Sequence, residues 1–422
     1  MLHIDDIIVR QHLLSGNFGL EKEMLRITSD GHLAQSPHPF SQEEPNITRD
    51  FCENQVEINT PVFKDAHEVV ECLYDITARI SARLDDGELL WHFSNPPVID
   101  SEEEIPIAQF YGDMAEKTEY RKYLSERYGR YMMTLSGIHF NYSFKGDMLR
   151  RNYEIETGRH IERGEEDAEY RKYESNLYLQ LAAQMSVYGW VATVLTAASP
   201  VMDKSYPDAP SYIASVRCSE VGYWNTFSPV FNYTSLENYV DSIQRYVDDG
   251  SIAVASELYY PIRLKPRGDN TLDRLREFGV NHIELRTIDL NPLSRAGIDE
   301  RDVKFIQLLI AWMMSLPDIT LTSEQQLQAI RNYKLAAHFS LNDTQIAYPD
   351  GSRHSLAEAT LSILDRMSAF FESIGVNVTE VMDFQRKKIT DSEHYRYADI
   401  IRRKYGSDFV RSIIKLGIRS QE

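Results

Sequence analysis

Four stretches of the chain alternate apolar and polar residues with a period of two. In FGLEKEMLRI (18–27), Glu21 and Glu23 sit among Leu20, Met24, Leu25 and Ile27. Residues two apart on an extended strand share a face, so the two carboxylates project together. NQVEINTP (54–61) sets Gln55, Glu57 and Asn59 against Val56 and Ile58. SGIHFNYSF (136–144) sets His139 and Asn141 against Ile138 and Phe140, and NHIELRTIDLNP (281–292) sets Glu284 and Arg286 against Ile283 and Leu285. Each predicts a strand with one packed and one polar face. Strands are therefore expected at 18–27, 52–60, 131–144 and 280–288. Two more are expected at 253–260 and at LLWHFSNPP (89–97), which closes in a proline-fixed loop.

Helical spacing predicts a short helix from Ile4 to Leu14 before a turn at Gly16-Asn17, and a helix over 65–85 with Val69, Val70, Leu73, Ile76 and Ile80 on one side. Further helices are expected over 101–130 and 171–198, and a short one within KPRGDNTLDRLREFG (265–279). The charge-dense stretch 145–170 reads as a surface excursion. From 299 onward helical signals dominate. Thr322 with Gln325 and Ser355 with Glu358 have capping-box spacing, and Leu356, Leu361, Leu364, Met367 and Phe371 recur at core-facing intervals. Strands and helices mix without a regular βαβ alternation, which predicts an α+β fold with a largely antiparallel sheet. We expect a core over 1–320 and a helical region over 321–422 packed on it as one compact unit.

Composition narrows the function. The 422 residues are 42% hydrophobic and include 25 tyrosines, which suit pockets needing an apolar body with a polar tip. The net charge of −19 argues against a nucleic-acid backbone or an anionic membrane as partner, although local arginines and metal ions can still hold small anions. Cys52, Cys72 and Cys218 lie far apart and predict no disulfide framework, consistent with a reducing, cytoplasmic setting. No signal peptide is expected at the N-terminus. The longest apolar run, MSVYGWVATVLTAA (185–198), is shorter than the ~20 residues of a membrane span, so it reads as the inner end of a buried helix. No GxGxxG or GxxxxGK[ST] element occurs.

The polar strand faces carry the candidate chemistry. Glu21, Glu23, Glu57, His139, Glu284 and Arg286 differ from the Lys, Thr and Ser of an ordinary wet face. Carboxylates on adjacent strands repel unless cations neutralise them. Hard divalent ions prefer oxygen ligands, tolerate an imidazole and bridge to phosphates. An arginine in such a cluster suits the charge on a phosphoryl group in transfer.

These segments resemble the bacterial-type glutamate–cysteine ligases, also called γ-glutamylcysteine synthetases. The resemblance is carried in order by GLEKEMLRI (19–27), DFCENQVEINTP (50–61), RYMMTLSGIHFNYSF (130–144), ASPVMDKSY (198–206), VRCSEVGYWN (216–225), ELYYPIRLKPR (257–267) and GVNHIELRTIDLNPLSRAGID (279–299). It extends to the ligase half of bifunctional glutathione synthesis enzymes, without a second half for adding glycine. It implies a glutamine-synthetase-like fold: a curved antiparallel sheet with flanking helices and a helical C-terminal part. It further implies ATP as co-substrate, glutamate and cysteine as substrates, and Mg²⁺ or Mn²⁺ held by Glu21, Glu23, Asp50, Glu57, His139 and Glu284. Arg286 and Glu284 would act on the transferring phosphoryl group. Arg217, Tyr120, Met133, Tyr223 and Tyr259 would surround the amino-acid substrates. Asp50 and Glu57 are seven apart, so sharing one face requires a bend or bulge between them.

One departure matters. The family often carries Gln before TISG, whereas Met133 stands here in MMTLSG. A thioether offers an acceptor's polar end no amide hydrogen bonds, so a second reading keeps the chemistry with another amine. A third, a non-catalytic ATP or glutamate sensor, is disfavoured because Glu284 and Arg286 are both present. Oligomeric state is not legible.

Overall fold

The computed structural model describes residues 2–162, 167–200 and 211–405. Its organising element is β1 (Gly16–Thr28), 13 residues long. Around it lie β2 (Ile47–Arg49), β3 (Gln55–Asn59), β4 (Glu88–Trp91), β5 (Ile138–Phe144), β6 (Ile262–Lys265) and β7 (His282–Ile288). The strand order is β2-β3-β1-β5-β7-β6, with β4 also pairing β1, and every pairing is antiparallel. Opposite pairs bring Glu21 to His139, Glu23 to Glu57, Asn141 to Glu284 and Arg263 to Glu284. The period-two polar faces of separate segments thus become one continuous face.

The helices are α1 (Ile7–His12), α2 (Ala66–Ser81), α3 (Ala115–Tyr128), α4 (Gly146–Thr157), α5 (Ala168–Tyr188), α6 (Trp190–Thr196), α7 (Leu236–Asp248), α8 (Leu272–Phe278) and α9 (Glu300–Met314). After them come α10 (Ser323–Ala336), a hairpin of β8 (Gln345–Ala347) with β9 (Arg353–Ser355), and α11 (Leu356–Ser373), α12 (Thr379–Thr390), α13 (Ser392–Tyr395) and α14 (Tyr397–Tyr405). Helix α2 packs on β1, and α5 and α6 pack on β7. One hydrophobic cluster joins the sheet's apolar face (Leu20, Ile58, Phe140, Leu285) to α9 and to Ile330, Leu364 and Phe371 of the C-terminal helices. Both expected capping boxes form. No described helix is long and apolar enough to cross a membrane.

Several expectations are corrected. The helix expected over 101–130 begins only at Ala115, because Pro106 bars a helix ahead of it and the chain there bonds alongside 51–53 (Glu53 N to Pro106 O 2.8 Å, Ala108 N to Phe51 O 3.0 Å). Within 145–170 lies α4, which buries Met148, Leu149 and Tyr153; its charges hid the apolar stripe. Residues 163–166 of that stretch are outside the described residues.

The helix expected over 171–198 starts earlier and breaks at Gly189. There the Met185 carbonyl accepts from both Gly189 N and the Tyr333 hydroxyl, each at 2.8 Å, and Ala192 N turns to the Gly189 carbonyl at 3.0 Å, a tighter i→i−3 bond that ends the regular ladder. A β-carbon on residue 189 would lie 2.1 Å from that hydroxyl. Extended backbone starts only at Ile138, after a 3₁₀ turn at Met132–Thr134. Residues 253–260 form no strand. A 3₁₀ turn at Ala255–Glu257 gathers around the buried Glu257 carboxylate, which accepts from Ala253 N at 2.6 Å and Tyr128 OH at 2.7 Å. The strand is β6, which begins two residues after that stretch, at Ile262. The β8–β9 hairpin is not predicted by the sequence.

Candidate active site

Alternation in β1 turns Glu21 and Glu23 onto the polar face, and the neighbouring strands surround them. His139 of β5 lies with Nδ1 2.9 Å from Glu21 Oε2 and 3.4 Å from Glu284 Oε1, and with Nε2 3.5 Å from Glu23 Oε1. Asn141 donates to Glu21 Oε1 at 3.0 Å, and Gly137 N donates to Glu23 Oε2 at 3.0 Å. On β7, Arg286 Nη1 donates to Glu284 Oε1 at 2.5 Å. The β5–β7 register slips between Ile138 and Phe140, so β7 carries one extra residue beside Arg286. Such a bulge re-aims a side chain, here toward Glu284 and His139.

Asp50 and Glu57 share the face by a sharper device than a bulge. They stand on opposite arms of the β2–β3 hairpin, in which Thr48 pairs with Glu57. Two residues beyond Thr48, Asp50 returns to the same side as Glu57.

A cavity of about 210 Å³ opens over this face. Glu21, Glu23, Asp50, Glu57, His139, Glu284, Arg286, Tyr120, Met133, Tyr223 and Tyr259 all line it. Arg217 alone of the candidates stands beneath, in an adjoining cleft with Tyr223, Tyr259 and Arg286. Its guanidinium is buried, donates to the Arg286 carbonyl and meets His139 Nε2 at 3.0 Å. Because an arginine only donates, Nε2 accepts and the His139 proton sits on Nδ1 facing Glu21. Tyr223 and Tyr259 rings lie 4.4 Å apart, with the Arg217 guanidinium 5.8 Å from the Tyr223 centroid.

The sequence reading missed Lys265, Arg263 and Arg121, which also line the cavity. The first two stood in plain view: ELYYPIRLKPR alternates Arg263 and Lys265 between Ile262 and Leu264. Arg121 donates to the Asp50 carbonyl from α3, a contact no local spacing reveals.

Charge splits the carboxylates into two groups. Burial and the neighbouring Asp50 push Glu23 up to about 8. Burial, then Asp50, Glu21 and Glu23, hold Glu57 well above the usual range, and burial also raises Asp50. Burial opposes ionisation of Glu284 too, but Arg286, Lys265, Arg263 and His139 together hold it well below the usual range. Glu21 is also lowered: burial and Glu284 push it up, and His139 and Lys265 outweigh them. Burial and then Arg286 bring His139 down to about 4, which keeps the ring neutral.

The donor set fits a hard cation. Glu21, His139 and Glu284 each offer a ligand atom, all within 4.8 Å of one another. Glu284 Oε2 is buried and accepts no hydrogen bond among the described residues. The carboxylates beside them supply more oxygen ligands once deprotonated, as Mg²⁺ or Mn²⁺ prefers.

Comparison with known proteins agrees with this arrangement. Residues 3–252 and 247–336 match the family model for glutamate–cysteine ligase. A glutathione biosynthesis bifunctional protein of Listeria monocytogenes is 35% identical over 409 residues, covering 92% of this chain and 52% of that protein. The chain thus spans about half the length of such bifunctional relatives. A glutamate–cysteine ligase of Clostridium acetobutylicum is 31% identical over 418 residues, covering 85% of this chain and 84% of that protein. Among solved structures, the glutamate–cysteine ligase of Francisella tularensis in complex with AMP has the same fold, with a TM-score of 0.85 at 22% identity over 96% of this chain and 88% of that one. A bifunctional glutathione synthetase of Pasteurella multocida superposes with a TM-score of 0.82 at 26% identity over 97% of this chain and 53% of that one. A family match over most of the sequence, a relative of similar length and a fold shared from end to end lead to one conclusion: this chain belongs to the glutamate–cysteine ligase family.

Proposed function

We propose that the chain is an ATP-dependent ligase that joins the γ-carboxylate of L-glutamate to the amine of L-cysteine, the first step of glutathione synthesis. The observation that carries this reading is the single cavity in which Glu21, Glu23, Asp50, Glu57 and Glu284 meet Arg286. In this reading Glu21, Glu23, Asp50, Glu57, His139 and Glu284 hold Mg²⁺ or Mn²⁺. Divalent cations held by these residues would supply positive charge to a bound triphosphate. For His139 to ligate through Nδ1, its proton shifts to Nε2 toward Glu23, and Arg217 leaves Nε2 for a substrate carboxylate, which a guanidinium grips in a fork.

The reaction has two steps. A side-chain carboxylate oxygen of glutamate attacks the γ-phosphorus of ATP; the bond to the ADP oxygen breaks and γ-glutamyl phosphate forms. The acceptor amine then attacks the acyl carbon, phosphate leaves with the bonding pair, and the amine loses a proton. The chain's own work is positioning and charge stabilisation. Arg286, already anchored on Glu284, turns its fork to the phosphoryl group. Tyr120, Tyr223, Tyr259 and Met133 enclose the acceptor. We further propose that residues 1–320 form the catalytic core, that the helical region after 320 buttresses it, and that the protein works in the cytoplasm; residues 201–206 of ASPVMDKSY and the tail 406–422 lie outside the described residues.

Met133, buried beside Leu124 on the cavity wall, favours one alternative: the same chemistry with a different amine. A coupled assay of ADP release with Mg-ATP and glutamate, run across a panel of amines, is expected to give robust turnover with cysteine. Little turnover with cysteine and strong turnover with another amine would replace the first reading by the second.

Metal binding is expected to release protons. Glu23 at about 8 holds a proton at neutral pH, and a ligating carboxylate must give it up. Cation affinity therefore rises with pH through about 8, where Glu23 gives up its proton. Calorimetric titration with Mn²⁺ at pH 7 in two buffers of different ionisation enthalpy checks this. Identical heats in both buffers would mean that no proton leaves.

A further inference from the structure

Of the cavity cations that neither the sequence reading nor the proposed chemistry uses, Lys265 is the one whose ammonium faces both Glu284 and Glu21. It lies on β6, next in the sheet to β7, and its side chain shares the polar face with Arg263. Its ammonium sits 3.2 Å from Glu284 Oε2 and 3.9 Å from Glu21 Oε1. Those two carboxylates, with His139, are the groups whose ligand atoms converge within 4.8 Å. Glu284 Oε2, the oxygen nearest the ammonium, accepts no hydrogen bond from it. The contact is therefore one of charge on charge, without the directional bond that would lock it.

We propose that Lys265 is an exchangeable internal cation: it neutralises Glu284 and Glu21 in the nucleotide-free protein, and it swings onto the phosphates of the nucleotide when a divalent ion takes those carboxylates. This rests on the ligase reading above. Three physical points support it. A monovalent ammonium and a divalent ion cannot share the same two carboxylates closely without repulsion in a buried setting. Lysine is a compact charge on a flexible four-carbon stem, so it can leave one anion for another without moving the backbone. Its destination is within the same face: a trough of about 270 Å³ lined by Asn17, Gly19, Asn141, Arg267 and His282 runs along the strands beyond the carboxylates. Lys265 lines the carboxylate cavity and pairs across the β6–β7 ladder with His282, which lines the trough, so it stands at the border of the two.

The test uses the full chain with Lys265→Met and Lys265→Arg, and Glu284→Gln as a control for the site. Mn²⁺ binding without nucleotide is read by the loss of the free-ion paramagnetic resonance signal, and KM for ATP by steady-state kinetics. Removing the competing charge is expected to tighten nucleotide-free Mn²⁺ binding about tenfold in Lys265→Met while raising KM for ATP about tenfold. Lys265→Arg, which keeps the charge, is expected to retain wild-type Mn²⁺ affinity and most of the ATP affinity. Unchanged or weaker Mn²⁺ binding in a folded Lys265→Met protein overturns the exchange, as does unchanged KM for ATP. If Lys265→Met does not fold, the arginine variant decides: Mn²⁺ affinity or KM for ATP far from wild type overturns the proposal. Loss of Mn²⁺ binding in Glu284→Gln beside an indifferent Lys265→Met sinks only the lysine's role. A wild-type chain that binds neither Mn²⁺ nor ATP sinks both readings.

Discussion

Arg286→Lys is expected to lower kcat by about 10²- to 10³-fold while leaving KM for ATP within a few fold of wild type. The guanidinium already spends one nitrogen on Glu284 Oε1 at 2.5 Å and approaches His139 Nδ1 at 3.5 Å. Its remaining N–H groups face a cavity walled by carboxylates. In the proposed reaction the phosphoryl group gains stabilisation from that planar fork as its charge redistributes. An ammonium keeps the charge but holds Glu284 or the phosphoryl oxygens, not both. Uniform binding is thus largely kept and transition-state binding lost, which shows as a fall in kcat with little change in KM. Steady-state kinetics with saturating glutamate and cysteine measures the split. A large rise in KM with kcat preserved would make Arg286 a nucleotide anchor instead.

Asp302→Ala is expected to cost about 3 to 5 kcal/mol of stability, because it strips the partner from a buried cation. Asp302 Oδ1 accepts from Lys388 Nζ at 2.5 Å and Gln385 at 2.8 Å, and Oδ2 accepts from Tyr397 OH at 2.7 Å. Lys388 is fully buried, with the Leu195 carbonyl at 2.7 Å as its other hydrogen-bond partner. This cluster pins α12 and α14 to α9 and α6. For a chain of this size such a loss lowers Tm by about 3 to 6 °C. The double variant Asp302→Ala with Lys388→Met is expected to recover most of the loss, since no unpaired charge then stays buried. Thermal unfolding of wild type, single and double variants decides it. A single variant as stable as the double would show that the ion pair carries no such weight. Activity should suffer less than stability unless the buttress loosens. From α14, Ala398 N donates to the Ala197 carbonyl at 3.1 Å, close to Ser199, whose hydroxyl donates to Asp289 at 2.7 Å; Asp289 also accepts from Ser215 at 2.9 Å, two residues before Arg217.

Local pattern determined which side chains work together. Period-two alternation in β1, β3, β5 and β7 depends only on strand geometry, so the polar faces bearing Glu21, Glu23, Glu57, His139, Glu284 and Arg286 were legible residue by residue. The capping boxes of α10 and α11 were legible for the same reason: both partners lie three residues apart. Tertiary packing decided what local spacing does not encode. The β2–β3 reversal returns Asp50 to the face of Glu57, and the Tyr333 hydroxyl packs against Gly189 where the helix breaks. Glu257 folds 253–260 into a turn by gathering donors from distant and nearby residues. Lys265 and Arg121 entered the cavity through the pairing of β6 with β7 and the docking of α3 near Asp50. A strand's faces follow from the two-residue repeat of extended backbone, whereas which strands become neighbours follows from how much apolar surface the whole chain can bury. The former is written in the order of the residues, and the latter exists only once they have packed.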